Sequence, residues 1–184
     1  DARPMNGDLA IYVHWPFCAA ICPYCDFNVH KDRGADARTW TAALTAEMAH
    51  WAALTPGRRV TSLYFGGGTP SLAPLPVIDG AIGAAARLWG FGEGPEITLE
   101  ANPADAARFG DFRAAGVNRL SIGVQSFDDA ALKFLGRDHS GAEALAAIDA
   151  ALALFGRVNA DFIYALPRQT VRQWTEELTA AIGA

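Results

Sequence analysis

The sequence predicts an α/β fold built on a parallel sheet. Strand-like runs alternate with helical stretches five times along its 184 residues. Two capping boxes, Ser140-Gly-Ala-Glu143 and Thr170-Val-Arg-Gln173, mark helix starts in the second half. The unusual polar residues also fall in order at the ends of successive strands. Alternation of this kind implies right-handed crossovers between parallel strands. Pattern alone does not separate an open doubly wound sheet from a barrel.

Length fits one domain with a sizeable core. An apolar content of 51% with 19% charged residues is ordinary for a globular chain. The net charge of −5 leaves no basic footprint, so nucleic acid is not expected as a partner. No apolar run approaches the roughly 18 residues of a membrane span, and no signal peptide is visible. Clustered thiols without an obvious pairing suggest a reducing compartment, hence a cytoplasmic placement. The chain starts at Asp1 and stops mid-pattern at Ala184, and so reads as a segment of something longer.

Residues 1–8 form a polar lead-in, with Pro4 and Gly7 discouraging regular structure. The first strand runs from Leu9 to Val13. A charged turn, Lys31 to Asp36, leads into a helix over Ala37 to Leu54. Its stripe of Trp40, Leu44, Met48 and Trp51 is expected to pack on the sheet. Val60 to Phe65 is the second strand, ended by Gly66-Gly-Gly-Thr-Pro70. A helix opening near Pro76 buries Ile78, Ile82, Ala85 and Trp89.

Gly90 to Pro95 reads as a turn and Glu96 to Glu100 as the third strand. Asn102-Pro103 opens a helix with Phe109 and Phe112 inward and Gly116 as its stop. Arg119 to Val124 is the fourth strand, followed by a short helix over Asp128 to Leu135. The next helix, after Ser140, carries Leu145, Ile148, Leu152 and Phe155 at helical spacing. Val158 to Tyr164 is the fifth strand. Trp174, Leu178 and Ile182 line the last helix.

All three cysteines lie within eight residues, Cys18-Ala-Ala-Ile-Cys22-Pro-Tyr-Cys25. One disulfide would strand the third sulfur, whereas three thiols on a short loop can converge on a metal cluster. A closed four-cysteine site would need one more ligand, so a 4Fe-4S cluster here would leave one iron open. A structural zinc site would also need a fourth ligand, and His14 and His30 flank the loop. His14, His30, His50 and His139 share no spacing and read as structural or solvent-facing. Gly66-Gly67-Gly68 admits close approach to the backbone, but no Gly-Lys-Ser/Thr follows, so it is not a P-loop.

C-x3-C-x2-C with Tyr24 before the last cysteine resembles the signature of radical S-adenosylmethionine (SAM) proteins. Within that family the string Tyr12-Val-His-Trp-Pro-Phe-Cys18 and Cys22-Pro-Tyr-Cys25-Asp-Phe-Asn28 is similar to the HemW haem chaperones. These are relatives of the oxygen-independent coproporphyrinogen III oxidases. The likeness continues through Phe65-Gly-Gly-Gly-Thr-Pro-Ser71, Leu99-Glu-Ala-Asn-Pro103, Asn118-Arg-Leu-Ser-Ile-Gly-Val-Gln-Ser-Phe127 and Asp161-Phe-Ile-Tyr-Ala-Leu-Pro167.

The resemblance implies a partial (β/α)6 TIM-like barrel, with about five βα units over residues 9–184. It implies a 4Fe-4S cluster on Cys18, Cys22 and Cys25, whose open iron takes SAM. Reductive cleavage of SAM to a 5′-deoxyadenosyl radical is the implied chemistry. Tyr12, Tyr24, Gly67, Gly68, Thr69, Glu100, Gln125, Arg137 and Asp161 match family positions that bind SAM. An acidic group suits its ammonium or ribose diol, Arg137 its carboxylate, and Gln125 a hydroxyl. A branched side chain at Gly67 or Gly68 is expected to obstruct SAM while sparing the cysteines.

The implied partners are haem or a porphyrin, a haem-accepting protein, and an electron donor such as a flavodoxin-type protein. The family's haem-binding motif lies in a C-terminal region, so the haem site is expected outside this chain. The true oxidases carry a further cysteine two residues after the third. Phe27 stands there, so the resemblance implies a haem chaperone without oxidase activity. The alternative is an oxygen-independent coproporphyrinogen III oxidase that decarboxylates a porphyrinogen by SAM-dependent radical chemistry. Ala165 and Arg168 stand where relatives carry glycine, so the Leu166 to Thr170 loop is expected to depart from the family.

Overall fold

The computed structural model describes residues 7–183, so the lead-in from Asp1 to Asn6 lies outside the described residues. The first half holds β1 (Asp8–Trp15), β2 (Phe17–Cys18), β3 (His30–Lys31), α1 (Ala37–Leu54), β4 (Arg59–Gly67) and α2 (Leu75–Leu88). The second half holds β5 (Phe91–Ala101), α3 (Phe109–Ala114), β6 (Arg119–Gln125), α4 (Asp129–Phe134), α5 (Gly141–Leu154), β7 (Arg157–Phe162) and α6 (Val171–Gly183). Turns of 3₁₀ helix at Pro70–Leu72 and Pro103–Arg108 precede α2 and α3.

Five strands form one sheet in the order β1-β4-β5-β6-β7, each parallel to its neighbours. Every new strand adds on the same side as the last. A doubly wound sheet reverses direction at a switch point, so this winding is that of a barrel fragment. The alternation read from the sequence is therefore borne out.

The two faces of the sheet differ sharply, as period-2 strands require. Val13, Trp15, Leu63, Phe65, Ile97, Leu99, Leu120, Ile122 and Val124 are buried in one core. Met48, Val77, Ile78, Ala81, Phe109, Phe112, Ala147 and Ile148 meet them from the helices. The opposite face carries Tyr12, His14, Tyr64, Thr98, Glu100, Ser121, Asn159 and Asp161. Parallel sheets normally have apolar residues on both faces. A polar second face is what a ligand-holding barrel interior requires.

Local signals placed the helices well. Asp36 caps α1, its side chain accepting from Thr39 N at 2.7 Å. Both capping boxes form, Ser140 with Glu143 and Thr170 with Gln173. Gly116 ends the α3 region at φ 106°. Ala165 and Arg168 sit at φ 61° and 67°, left-handed backbone that favours glycine. Glycine would adopt this backbone without strain at either position.

Four expectations need correction. Most of the Gly90 to Pro95 turn belongs to β5: Phe91 pairs with Val60, and a bulge absorbs the residues before Glu96 pairs with Ser62. Trp51 is 52% exposed, its indole donating to Glu47 on the helix surface. Asn102-Pro103 opens a 3₁₀ segment before α3, although Phe109 and Phe112 are fully buried as expected. On α5 the buried face is Gly141, Ala144, Ala147, Ile148 and Ala151, while Leu145 and Leu152 face out. Glu143 and Asp149 are the two charged residues of that helix and the rest is apolar, so spacing selected its face poorly, and alanines let it sit closer to the sheet.

Phe109→Ala is expected to lower stability by about 3–5 kcal/mol through the cavity it leaves. Leu152→Ala, at a side chain 51% exposed, should stay within about 0.5 kcal/mol of the parent. Urea unfolding at constant m checks both, and a large loss in the second variant would restore the burial that spacing alone suggested.

Candidate metal and cofactor site

The strand ends surround a cleft of about 490 Å³ lined by Cys18, Cys22, Tyr24, Cys25, Gly67, Gly68, Thr69, Glu100, Gln125, Arg137 and Asp161, among others. These are the residues singled out in the sequence, apart from Tyr12. Tyr12 lies beside the cleft, its ring stacked on that of Tyr64 at 6.0 Å and 16°. Five separate strand ends thus deliver their polar residues to one place.

The cysteine loop is held there by its ends. β2 and β3 pair Phe17 with His30 and Cys18 with Lys31, closing the loop at its base. His30 N donates to Pro16 O at 2.7 Å, and Asp32 N to Cys18 O at 2.8 Å. The His14 ring bonds Asn28 O at 3.0 Å. His14, read from the sequence as structural or solvent-facing, is structural: it fastens the loop to β1. Its face, shared with Tyr12 by strand alternation, was the available signal.

The glycine run works differently from its sequence reading. Its amides are already engaged: Gly67 N donates to Glu100 Oε2 at 3.2 Å, Gly68 N to Trp15 O at 2.7 Å, and Thr69 N to Phe17 O at 2.8 Å. A Cβ at Gly68 would lie 2.7 Å from Phe17 O and 3.0 Å from Cys18 Sγ. At Gly67, φ is 113° and a Cβ would strike the His14 ring at 2.6 Å. The run therefore lets β4 press against the segment that carries Cys18. A substitution there cannot spare the cysteines.

Glu100 is fixed from two sides. Tyr64 Oη donates to Glu100 Oε1 at 2.9 Å, opposite the Gly67 amide. Burial nevertheless pushes its carboxyl above the ordinary value, outweighing the two hydrogen bonds. Asp161 accepts from Ser121 Oγ at 3.0 Å and from Asn159 Nδ2 at 2.7 Å. Tyr64 and Ser121 were not singled out in the sequence, because the registers that bring them beside the carboxylates are long-range. Asn159, two residues before Asp161 on the same strand face, could have been found from strand alternation.

Gln125 ends β6 at φ 67°, where a bulge turns the strand. Its amide folds over Gly123, at which a Cβ would approach Gln125 Nε2 to 2.9 Å. Arg137 crosses the same glycine, Nη2 donating to Gly123 O at 3.1 Å and Nη1 reaching Cys22 Sγ at 3.6 Å. Arg137 Nε is buried with no hydrogen-bond partner. Burial and the neighbouring Cys22 push the Tyr24 phenol up to about 12 against the opposing pull of Arg137. Burial likewise raises the Cys18 thiol, opposed by a hydrogen bond from Thr69.

Residues 12–180 match the radical SAM superfamily. The chain belongs to that superfamily. Membership of the radical SAM superfamily implies a 4Fe-4S cluster and SAM. The chain is 45% identical to the mitochondrial radical S-adenosyl methionine domain-containing protein 1 of Bos taurus, covering 95% of this chain and 40% of that one. It is 41% identical to the heme chaperone HemW of Escherichia coli (strain K12), covering 95% of this chain and 47% of the relative. Among solved structures, coproporphyrinogen III oxidase (HemN) from Escherichia coli superposes with a TM-score of 0.86 at 31% identity. That match covers 98% of this chain and 42% of the oxidase. The chain thus spans less than half the length of these three proteins.

The residues present fit such a cofactor pair. All three thiols line the cleft and none is in a disulfide. Among the described residues, no three His, Cys, Asp or Glu side chains draw close enough to hold a single metal ion. A zinc site would gather its thiolates about 2.3 Å from one ion, whereas a multi-iron cluster holds them further apart. The unpartnered Arg137 Nε is a donor awaiting an acceptor, and a ligand carboxylate would supply one. No helix of the described residues is long and apolar enough to cross a membrane.

Gly68→Val is expected to lower both iron content and SAM affinity, since its side chain would enter the space of Cys18 Sγ and Phe17. Iron analysis beside calorimetric SAM titration checks this. Full iron with lost SAM binding would show that the run guards only the ligand.

Proposed function

We propose that this chain is the SAM-binding core of a haem-handling protein of the HemW kind, which passes haem to a target protein. Cys18, Cys22 and Cys25 would hold the 4Fe-4S cluster. Glu100, fixed by Tyr64 and the Gly67 amide, presents an acceptor suited to the ammonium of SAM or its ribose diol. Arg137 offers its free Nε to the carboxylate, Gln125 an amide to a hydroxyl, and Asp161 a second acidic acceptor. Tyr12, Tyr24 and Thr69 complete the walls. A bound cluster would supply the electron for reductive cleavage of SAM, and the cleft's task would be to orient the ligand and exclude water.

The observation that carries the chaperone reading is Phe27. It stands two residues after Cys25, where the true oxidases have a further cysteine, and it is 65% exposed at the cleft. A thiol at that point can ligate or serve a radical step, whereas a phenyl ring can only pack. Haem or a porphyrin, a haem-accepting protein and a flavodoxin-type electron donor are the proposed partners. The haem site is placed outside this segment, and the protein in the cytoplasm.

The test uses the full-length protein, reconstituted anaerobically and supplied with reductant, SAM and coproporphyrinogen III, beside a haem titration. Haem binding without formation of protoporphyrinogen is expected. Turnover to protoporphyrinogen would replace the chaperone by the oxidase.

A further inference from the structure

We propose that Arg137 donates a hydrogen bond to the Cys22 thiolate and so raises the reduction potential of the cluster, in addition to facing SAM. The inference rests on the cluster assignment made above and concerns how one residue regulates it. Arg137 and Cys22 are 115 residues apart in sequence, yet Nη1 lies 3.6 Å from Cys22 Sγ, within reach for a sulfur acceptor. Its other terminal nitrogen is anchored 3.1 Å from the backbone carbonyl of Gly123 on β6. A planar guanidinium held at one corner by strand backbone has little freedom to leave the sulfur at the other.

The surrounding chain presses the two partners together. Gly136 turns at φ 69°, and a Cβ there would sit 3.0 Å from Pro23 Cδ, next to Cys22. The Gly136-Arg137 turn is therefore seated on the cysteine loop itself. Tyr24 interacts with both Arg137 and Cys22, so the three side chains form one group.

Charge explains why one arginine should matter. Among the described residues lining the cleft, Arg137 is the one Lys or Arg, against Glu100, Asp105, Asp138 and Asp161. Four carboxylates resist the arrival of an electron nearby. Reduction of a 4Fe-4S cluster adds one electron and no proton, so the reduced form carries one more negative charge. A permanent cation on a cluster sulfur stabilises that form more than the oxidised one. The three nitrogens divide the work: Nη1 to the cluster sulfur, Nη2 to the strand, and Nε left for a ligand. SAM binding and cluster potential would thereby share one side chain.

The experiment uses the full-length protein reconstituted without SAM, so that a role toward SAM cannot contribute. Potentiometric titration with dithionite, followed by the electron paramagnetic resonance (EPR) signal of the reduced cluster, compares the parent with R137K and R137Q. In R137Q the ratio of reduced to oxidised cluster at fixed potential should fall about tenfold, a shift of about 59 mV for one electron. R137K, which keeps the charge, should recover part of the loss. A second measurement needs no variant. Protein grown on ¹⁵N-arginine should show a nitrogen coupling to the reduced cluster in pulsed EPR. An unchanged midpoint in R137Q at full iron content, or no coupling in the labelled parent, overturns the proposal. If R137Q fails to hold iron, the coupling decides alone. Iron missing from the parent overturns the cluster assignment as well, and shows before any titration.

Discussion

The close approach of Gly67 and Gly68 to the Trp15–Cys18 backbone is the contact on which the site depends. It continues the β1–β4 pairing beyond the strand ends through two backbone bonds, Gly68 N to Trp15 O and Thr69 N to Phe17 O. Any Cβ at Gly68 would break it. Because the pairing persists past the sheet, Cys18 is buried at the rim instead of swinging free with the rest of its loop. The small β2–β3 pair and the His14–Asn28 bond then return the loop to its starting point. Thiols that would otherwise sit on a wandering surface segment are thus delivered over the strand ends.

The second constraint is the division of labour across the sheet. One face spends its apolar side chains on the helices, where Phe109, Phe112, Leu99 and Leu120 are fully buried. The other face keeps carboxylates, hydroxyls and amides within hydrogen-bond reach of one another. Glu100 and Asp161 are tolerable there because each is matched by donors: Tyr64 and the Gly67 amide on the neighbouring strand for one, Ser121 on the neighbouring strand and Asn159 on its own strand for the other. An acidic, half-dry cleft with a single arginine favours a ligand that carries both a cation and a carboxylate, which SAM does.

Much of this was legible in the sequence, for local reasons. Ser140 and Thr170 announce helix starts through bonds within four residues, and the structure forms both. The cysteine spacing and the order of polar strand ends survive any modest error in strand boundaries. What escaped depends on distant partners. The face of α5 could not be read because alanine and leucine are both apolar, and only packing distance separates them. The β2–β3 pair is two residues long on each side and carries no propensity signal. Tyr64, Ser121 and His14 gain their roles from registers with other strands and from a loop that folds back. The glycine run was read as access for a ligand, whereas its smallness first serves the chain itself.

The central claim is that Cys18, Cys22 and Cys25 carry a 4Fe-4S cluster with one iron left open to SAM. The most direct test is iron and acid-labile sulfide analysis of anaerobically reconstituted protein, with zinc measured in the same sample. About four irons and four sulfides per chain, falling sharply when Cys22 is changed to Ala, are predicted. About one zinc per chain with no sulfide, or an iron content indifferent to Cys22→Ala, would contradict the account.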